Sequence, residues 1–308
     1  FFYEKKYLGF YNDHHFHYGY IIYAAAVVSH FDHAWGKKYF EQILLFVRDI
    51  ANPSADDVHF PTFRHKDWYM GHSWASGISE PTPFNGRNQE SSSESIAAYE
   101  SIGLYGSVMA KVWGDKNESL LDPDCYENIE VSRHIRNIGR LLTATELRST
   151  DRYYHVRHNN YDEDEHKTWQ IYPDQYTPHA VGMLWNTMAE FQTWFGGAAF
   201  SSYGIQLMPL TPVAEQRDDL NWLSGMYNDF AESCETDRVC TEQGWSVVQF
   251  AALASVGHRA LAVEKALSLP SSVFESAGGN GHSLTNTLWY ITTRPDLSNP
   301  LAFPPSAK

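Results

Sequence analysis

The stretch YNDHHFHYGYIIYAAAVV, Tyr11 to Val28, sets one carboxylate, Asp13, and three imidazoles, His14, His15 and His17, directly before an apolar, alanine-rich run. Downstream, NGRNQESSSES carries Glu90 and Glu94 four residues apart, a spacing that puts both carboxylates on one face of a helix. Asp13 and His17 share that spacing. Three consecutive serines, Ser91 to Ser93, are poor helix formers, and like charges four apart repel, so local propensity does not account for the second stretch. A polar cleft does. Two chemistries fit these parts. A carboxylic acid from one segment could protonate a glycosidic oxygen while a carboxylate from the other activates water. Alternatively, Asp13, His17, Glu90 and Glu94 could ligate one or two metals from facing helices, although the Glu-x-x-His signature of bundle metal sites is absent. Both stretches also have plainer readings: Asn12 or Asp13 as an ordinary N-cap, and the glutamates as first-turn acids complementing a helix dipole. The residue types alone leave the choice open.

The elements that must hold these groups are helical. YGYIIYAAAVVSHF, KKYFEQILLFVRDIA, SSSESIAAYESIGLYGSVMAKVW and NIEVSRHIRNIGRLLTATEL repeat apolar residues at three- and four-residue spacing. HAVGMLWNTMAEFQTWF, DLNWLSGMYNDFAESC, EQGWSVVQFAALASV and HRALAVEKALSL do the same. The helix carrying Glu90 and Glu94 is expected to begin near Asn88. RYYHVRH is the best strand candidate. Loops such as ANPSADDVHFPTF and LMPLTPV separate the helices, and the tail TTRPDLSNPLAFPPSAK is rich in Pro and Ser. This predicts a mostly α chain of about a dozen helices, folded as a toroid or large bundle rather than a strict solenoid.

Composition narrows the partners. The 308 residues carry a net charge of −14, which repels phosphate backbones and disfavours nucleic acid. No apolar run approaches the roughly 20 residues needed to cross a bilayer. Aromatics make up 15% of the chain, with 10 Trp and 19 Tyr, which suits a neutral ligand that stacks on rings. Cys234 and Cys240 are spaced to allow a small disulfide loop, with three free thiols the equal alternative; Cys125 is the odd one. The opening FFYEKKYLGF has neither an initiator Met nor a signal peptide, which reads as a piece of a longer protein. Asn117-Glu118-Ser119 forms one sequon.

Five motifs in order, YNDHHFHYGYIIYAAA, KDWYMGHSWASG, RNQESSSESIAAYE, GIQLMPLTP and TNTLWYITTRP, resemble glycoside hydrolase family 81 from Tyr11 to Pro295. The resemblance implies an (α/α)6 toroid over residues 1–295, followed by an irregular tail over 296–308. It also implies that an N-terminal β-sandwich belongs to the full-length parent and is missing here. The implied activity is endo-acting, inverting hydrolysis of β-1,3-glucan, extracellular or at a cell wall, with no cofactor and no metal. Asp13 matches the general acid, Glu90 the general base and Glu94 a supporting carboxylate. His17 matches a substrate-binding or site-positioning residue. Tyr20, Asp67, His72, Trp74, Asn88 and Gln89 are further candidates for sugar binding, and Arg87 for a counter-charge to Glu90. Such an acid must be held protonated, so His15 and His17 are expected to be mostly neutral. A glucan-binding fragment with little turnover is the alternative from another class.

Overall fold

The computed structural model describes residues 11–75, 85–114, 123–158, 161–162, 167–168, 171–275, 281–295 and 297. Contacts group the chain into two compact units, Phe1–Ser149 and Thr150–Lys308. The tail from residue 298 onward and the sequon at Asn117 lie outside the described residues.

The first unit holds helices α1 (His14–Phe31), α2 (His33–Lys38), α3 (Phe40–Ala51) and α4 (Ser92–Trp113), the two-residue strand β1 (Asn88–Gln89), and most of α5 (Pro123–Tyr153). Its core joins Ile22 and Ala25 of α1, Phe40 and Ile50 of α3, and Leu142 of α5 to Tyr99, Ile102, Tyr105 and Met109 of α4. Each large side chain so buried contributes about 1.5–3 kcal/mol relative to leaving it in water. Glycine sets the tightest approach. A Cβ on Gly19 would sit 2.5 Å from Cα of Ala98, so α1 and α4 run backbone against backbone where the two polar stretches begin.

The start of α4 differs from the expectation near Asn88. Asn88 and Gln89 are extended, and Ser91 is the N-cap, its hydroxyl accepting from the Glu94 amide at 3.2 Å. The serine run therefore has a local reason: Ser91 followed three residues later by Glu94 is the spacing of a capping box. Glu90 stands just outside the helix and Glu94 inside its first turn.

The second unit contains β2 (Tyr161–Asp162), β3 (Lys167–Thr168), β4 (Met183–Trp185), β5 (Ala189–Glu190) and helices α6 (Ala199–Gly204), α7 (Ala214–Arg217), α8 (Leu220–Thr236), α9 (Val239–Glu242), α10 (Trp245–Ser255), α11 (Arg259–Ser268), α12 (Ser272–Glu275) and α13 (Leu284–Thr293). Trp222, Met226, Phe230, Val248 and Leu253 form its core. Cys234 and Cys240 are disulfide-bonded, tying α8 to α9, and Cys125 is a free thiol.

Two segments depart from the sequence reading. Residues 179–195, expected as a helix, form an antiparallel hairpin with Met183 opposite Glu190. Gly182 shows why: a Cβ there would meet the carbonyl oxygens of Phe191 and Gln192 at 2.6 Å. In RYYHVRH, α5 continues through Tyr153, and only an isolated bridge between His155 and Ala180 remains of the expected strand. The chain is mostly α as expected, and its described strands, two or three residues each, build no β-sandwich. No described helix is long and apolar enough to cross a membrane.

Candidate active site

Asp13 occupies the N-cap position of α1 without behaving as a cap. Its φ and ψ are 58° and 13°, in the left-handed region, and its side chain accepts no cap hydrogen bond. Tyr11, two residues earlier, is also left-handed at φ 64°. Non-glycine residues in this region cost on the order of 1 kcal/mol or more each, and they persist only where surrounding contacts over-determine them. The arrangement leaves the half-buried carboxyl of Asp13 uncommitted to its own helix end.

A second strand of backbone ties this acid to the glutamates. The Asp13 amide donates to the Ala75 carbonyl at 3.0 Å, and the Ala75 amide donates to the Asn88 carbonyl at 2.7 Å. Gln89, directly before Glu90, accepts at Oε1 from His15 Nε2 over 2.8 Å. Across the α1–α4 contact, the Tyr20 hydroxyl donates to Glu94 Oε1 at 2.8 Å. Asp13 and the Glu90–Glu94 pair, distant in sequence, thus hang from one hydrogen-bonded frame.

Burial, with help from the Glu94 carboxylate and against an opposing pull from His14, pushes the Asp13 carboxyl up to about 7. Burial also raises Glu94, offset by hydrogen bonds from Tyr20 and Ser91. The Glu94 charge thus acts, after burial, against ionisation of Asp13. His15 is fully buried, and that burial, reinforced by His65 and only partly offset by the Gln89 hydrogen bond, holds its imidazole far below the usual value and hence neutral. With Nε2 donating to Gln89, the Nε2-protonated tautomer is fixed. His65 is likewise held down to about 3 by burial and donates from Nδ1 to the Trp74 carbonyl at 2.8 Å. His17, one turn beyond Asp13, is exposed.

The loop carrying Trp74 and Ala75 is anchored from below. Lys66 Nζ donates to the Gly71 carbonyl at 2.6 Å and to Glu146 Oε1 at 3.2 Å, both side chains being wholly removed from solvent. Ser73 donates to the same carboxylate oxygen at 2.7 Å and lies 2.7 Å from the Tyr99 hydroxyl.

Several residues expected to bind sugar serve instead as this frame. His72 and Gln89 are fully buried, Trp74 is 2% exposed and Asn88 7%. His72 and Trp74 are covered because the turn 67–75 folds inward against α4 and α5, whereas Asn88 pairs with Ala75 and Gln89 with His15. Asp67 is half-buried and holds that turn, accepting from the Tyr69 and Met70 amides and from Trp74 Nε1 at 3.0 Å. Arg87 lies 3.6 Å from Asp67 and over the Trp74 ring. Tyr20 and His17 keep exposed surface beside the carboxylates, with Tyr20 43% exposed. The metal alternative finds no donor set: among the described residues, no three His, Cys, Asp or Glu side chains converge as ligands would.

Two residues that hold the Tyr11–His14 turn went unread in the sequence, Asp49 of α3 and Arg64. Asp49 Oδ2 receives His14 Nδ1 at 2.6 Å and Arg64 Nη2 at 2.7 Å, and Arg64 Nη1 donates to the Tyr11 carbonyl at 2.9 Å. Nothing in their types or spacing marked them, since the partners lie 35 and 53 residues away.

The chain matches the family model described as "Glycosyl hydrolase family 81 C-terminal domain" over residues 7–120 and 124–291. It is 32% identical over 294 residues to a glucan endo-1,3-beta-D-glucosidase of Glycine max, covering 94% of this chain and 38% of that protein. A protein of the same name from Acetivibrio thermocellus is 30% identical over 246 residues, covering 78% of this chain and 27% of the relative. A solved family 81 glycoside hydrolase from Clostridium thermocellum, a glutamate-to-alanine variant, superimposes with a TM-score of 0.68 at 27% identity. That match covers 93% of this chain and 35% of the other. The chain therefore spans well under half the length of these relatives.

Proposed function

The chain belongs to glycosyl hydrolase family 81, as its C-terminal helical domain, and from that premise we propose that it hydrolyses internal β-1,3 bonds of glucans by single displacement with inversion. Asp13 donates its proton to the glycosidic oxygen as the C1–O bond breaks. Glu90 takes a proton from a water that attacks C1 from the opposite face, which requires carboxyl groups roughly 6.5–9.5 Å apart. Asp13 ends ionised and Glu90 protonated, and solvent returns both to their starting states. Glu94 stays beside the acid, its charge opposing ionisation of Asp13.

The observation that carries this reading is the Asp13 carboxyl, raised to about 7 and not used as a helix cap. A general acid at neutral pH needs both properties: a proton to give and a side chain free to give it. Exposed Tyr20 and His17 are the sugar-facing members of the site. The N-terminal β-sandwich of the full-length parent is proposed as this domain's partner, consistent with the share of each relative that the chain spans. The Cys234–Cys240 disulfide supports an extracellular or cell-wall setting, where oxidised cysteines persist.

The direct test is product analysis with a soluble β-1,3-glucan. Endo action yields a spread of oligosaccharides early in the reaction, and Asp13→Asn abolishes it. Glucan binding without any oligosaccharide release would replace this reading with that of a binding fragment.

A further inference from the structure

Resting on the acid role of Asp13, we propose that Asp49 and Arg64 are positioning residues that clamp the peptide on either side of Asp13 and so fix the direction of its carboxyl. The turn holds two left-handed non-glycine residues, Tyr11 and Asp13, which the backbone would leave if it were free. Arg64 grips it from one side, Nη1 donating to the Tyr11 carbonyl at 2.9 Å while its guanidinium lies over the Tyr11 ring. His14, the residue after Asp13, is gripped from the other side by Asp49 Oδ2 at 2.6 Å. The same oxygen receives Arg64 Nη2 at 2.7 Å, so one carboxylate on α3 joins both grips. Arg64 Nη2 also lies 2.9 Å from His14 Nδ1, so the arginine, the imidazole and the carboxylate meet in one closed contact. Hydrogen bonds from His14 and Arg64 hold the Asp49 carboxyl below its usual range despite its burial. The Asp13 amide, bonded to the Ala75 carbonyl, completes the hold.

Arg64 works through two separate nitrogens on two separate acceptors, which a lysine cannot reproduce. Charge alone is therefore not what the position requires. Asp49 offers a single oxygen to both donors, which an asparagine oxygen can still present.

The experiment compares Arg64→Met, Arg64→Lys, Asp49→Ala and Asp49→Asn with Arg48→Gln. Arg48 lies on the same helix as Asp49 and pairs with Asp57 without touching the Tyr11–His14 turn. The clamp predicts that Arg64→Met, Arg64→Lys and Asp49→Ala each lower kcat on laminarin about 10–100-fold, with KM within about threefold of the parent. Asp49→Asn keeps kcat within about fivefold, and Arg48→Gln leaves it unchanged at a matched loss of Tm. In substrate-free protein, exchange of the Asp13 amide proton, followed by NMR, accelerates at least about tenfold in Arg64→Met and not in Arg48→Gln. Arg64→Met retaining kcat within about twofold, or losing no more than Arg48→Gln, would overturn the clamp, as would unchanged Asp13 exchange. If the parent released no oligosaccharide, the glucanase reading would fall while the exchange comparison still judged the clamp.

Discussion

The Tyr20 hydroxyl donates to Glu94 Oε1 over 2.8 Å, joining α1 to α4. This bond favours the charged form of Glu94, and Glu94 charge in turn keeps Asp13 protonated. In Tyr20→Phe, Glu94 protonates more readily and Asp13 feels less repulsion, so Asp13 ionises at lower pH. The basic limb of the kcat/KM profile should move down by about 0.5–1 pH unit. A pH–rate profile of the parent and Tyr20→Phe measures it, and an unmoved basic limb would separate Tyr20 from the acid.

Asp13 also links activity to stability. Burial and the Glu94 charge lift its folded-state carboxyl to about 7, well above the ordinary aspartate range, so the folded protein holds a proton that the unfolded chain releases. The resulting stability is fully present below about pH 4 and is lost as pH rises through about 7. Asp13→Asn, having no charge to bury, should equal the parent near pH 4. At pH 8 it should exceed the parent by on the order of 1–3 kcal/mol while losing activity. Thermal unfolding at the two pH values checks both arms.

The α1–α4 approach depends on Gly19. Gly19→Ala places a Cβ against Ala98 backbone that cannot swing away, and should cost about 1–3 kcal/mol of stability. Because this contact aligns Asp13 and Tyr20 with Glu94, kcat should fall more than melting temperature alone explains. Denaturant titration with parallel kinetics would show whether the two losses part company.

The buried Lys66–Glu146 pair supports the loop that hands the Ala75 carbonyl to Asp13. Lys66→Met strands the Glu146 carboxylate without its cation and should destabilise the protein by about 3–5 kcal/mol. Replacing both with apolar residues of similar volume should recover much of that loss. A double variant no more stable than Lys66→Met would contradict this account of the pair.

Much of the helical frame was legible because α1, α4, α8 and α10 bury residues at helical spacing. The hairpin at 183–190 was not. Its Val181, Leu184, Trp185 and Met188 fall at the three- and four-residue spacing of a helix, and only the close approach at Gly182 reveals strands. Helix α13 escaped notice because Thr285, Thr287, Thr292 and Thr293 dilute its apolar stripe, although Ser283 caps it. At the site, the carboxylates stood out by type and spacing. His72, Trp74, Asn88 and Gln89 share the chemistry of sugar ligands, and only burial separates a residue that supports the cleft from one that lines it. Asp49 and Arg64 act through partners far away in the chain, which local pattern cannot encode.

The central claim is that Asp13 and Glu90 perform acid–base hydrolysis with inversion, and anomer-resolved NMR of laminarin hydrolysis tests it most directly. The account predicts that the α-anomer appears first, and that Asp13→Asn and Glu90→Gln each lower kcat at least about a thousandfold. First appearance of the β-anomer, or undiminished turnover in either variant, would contradict it.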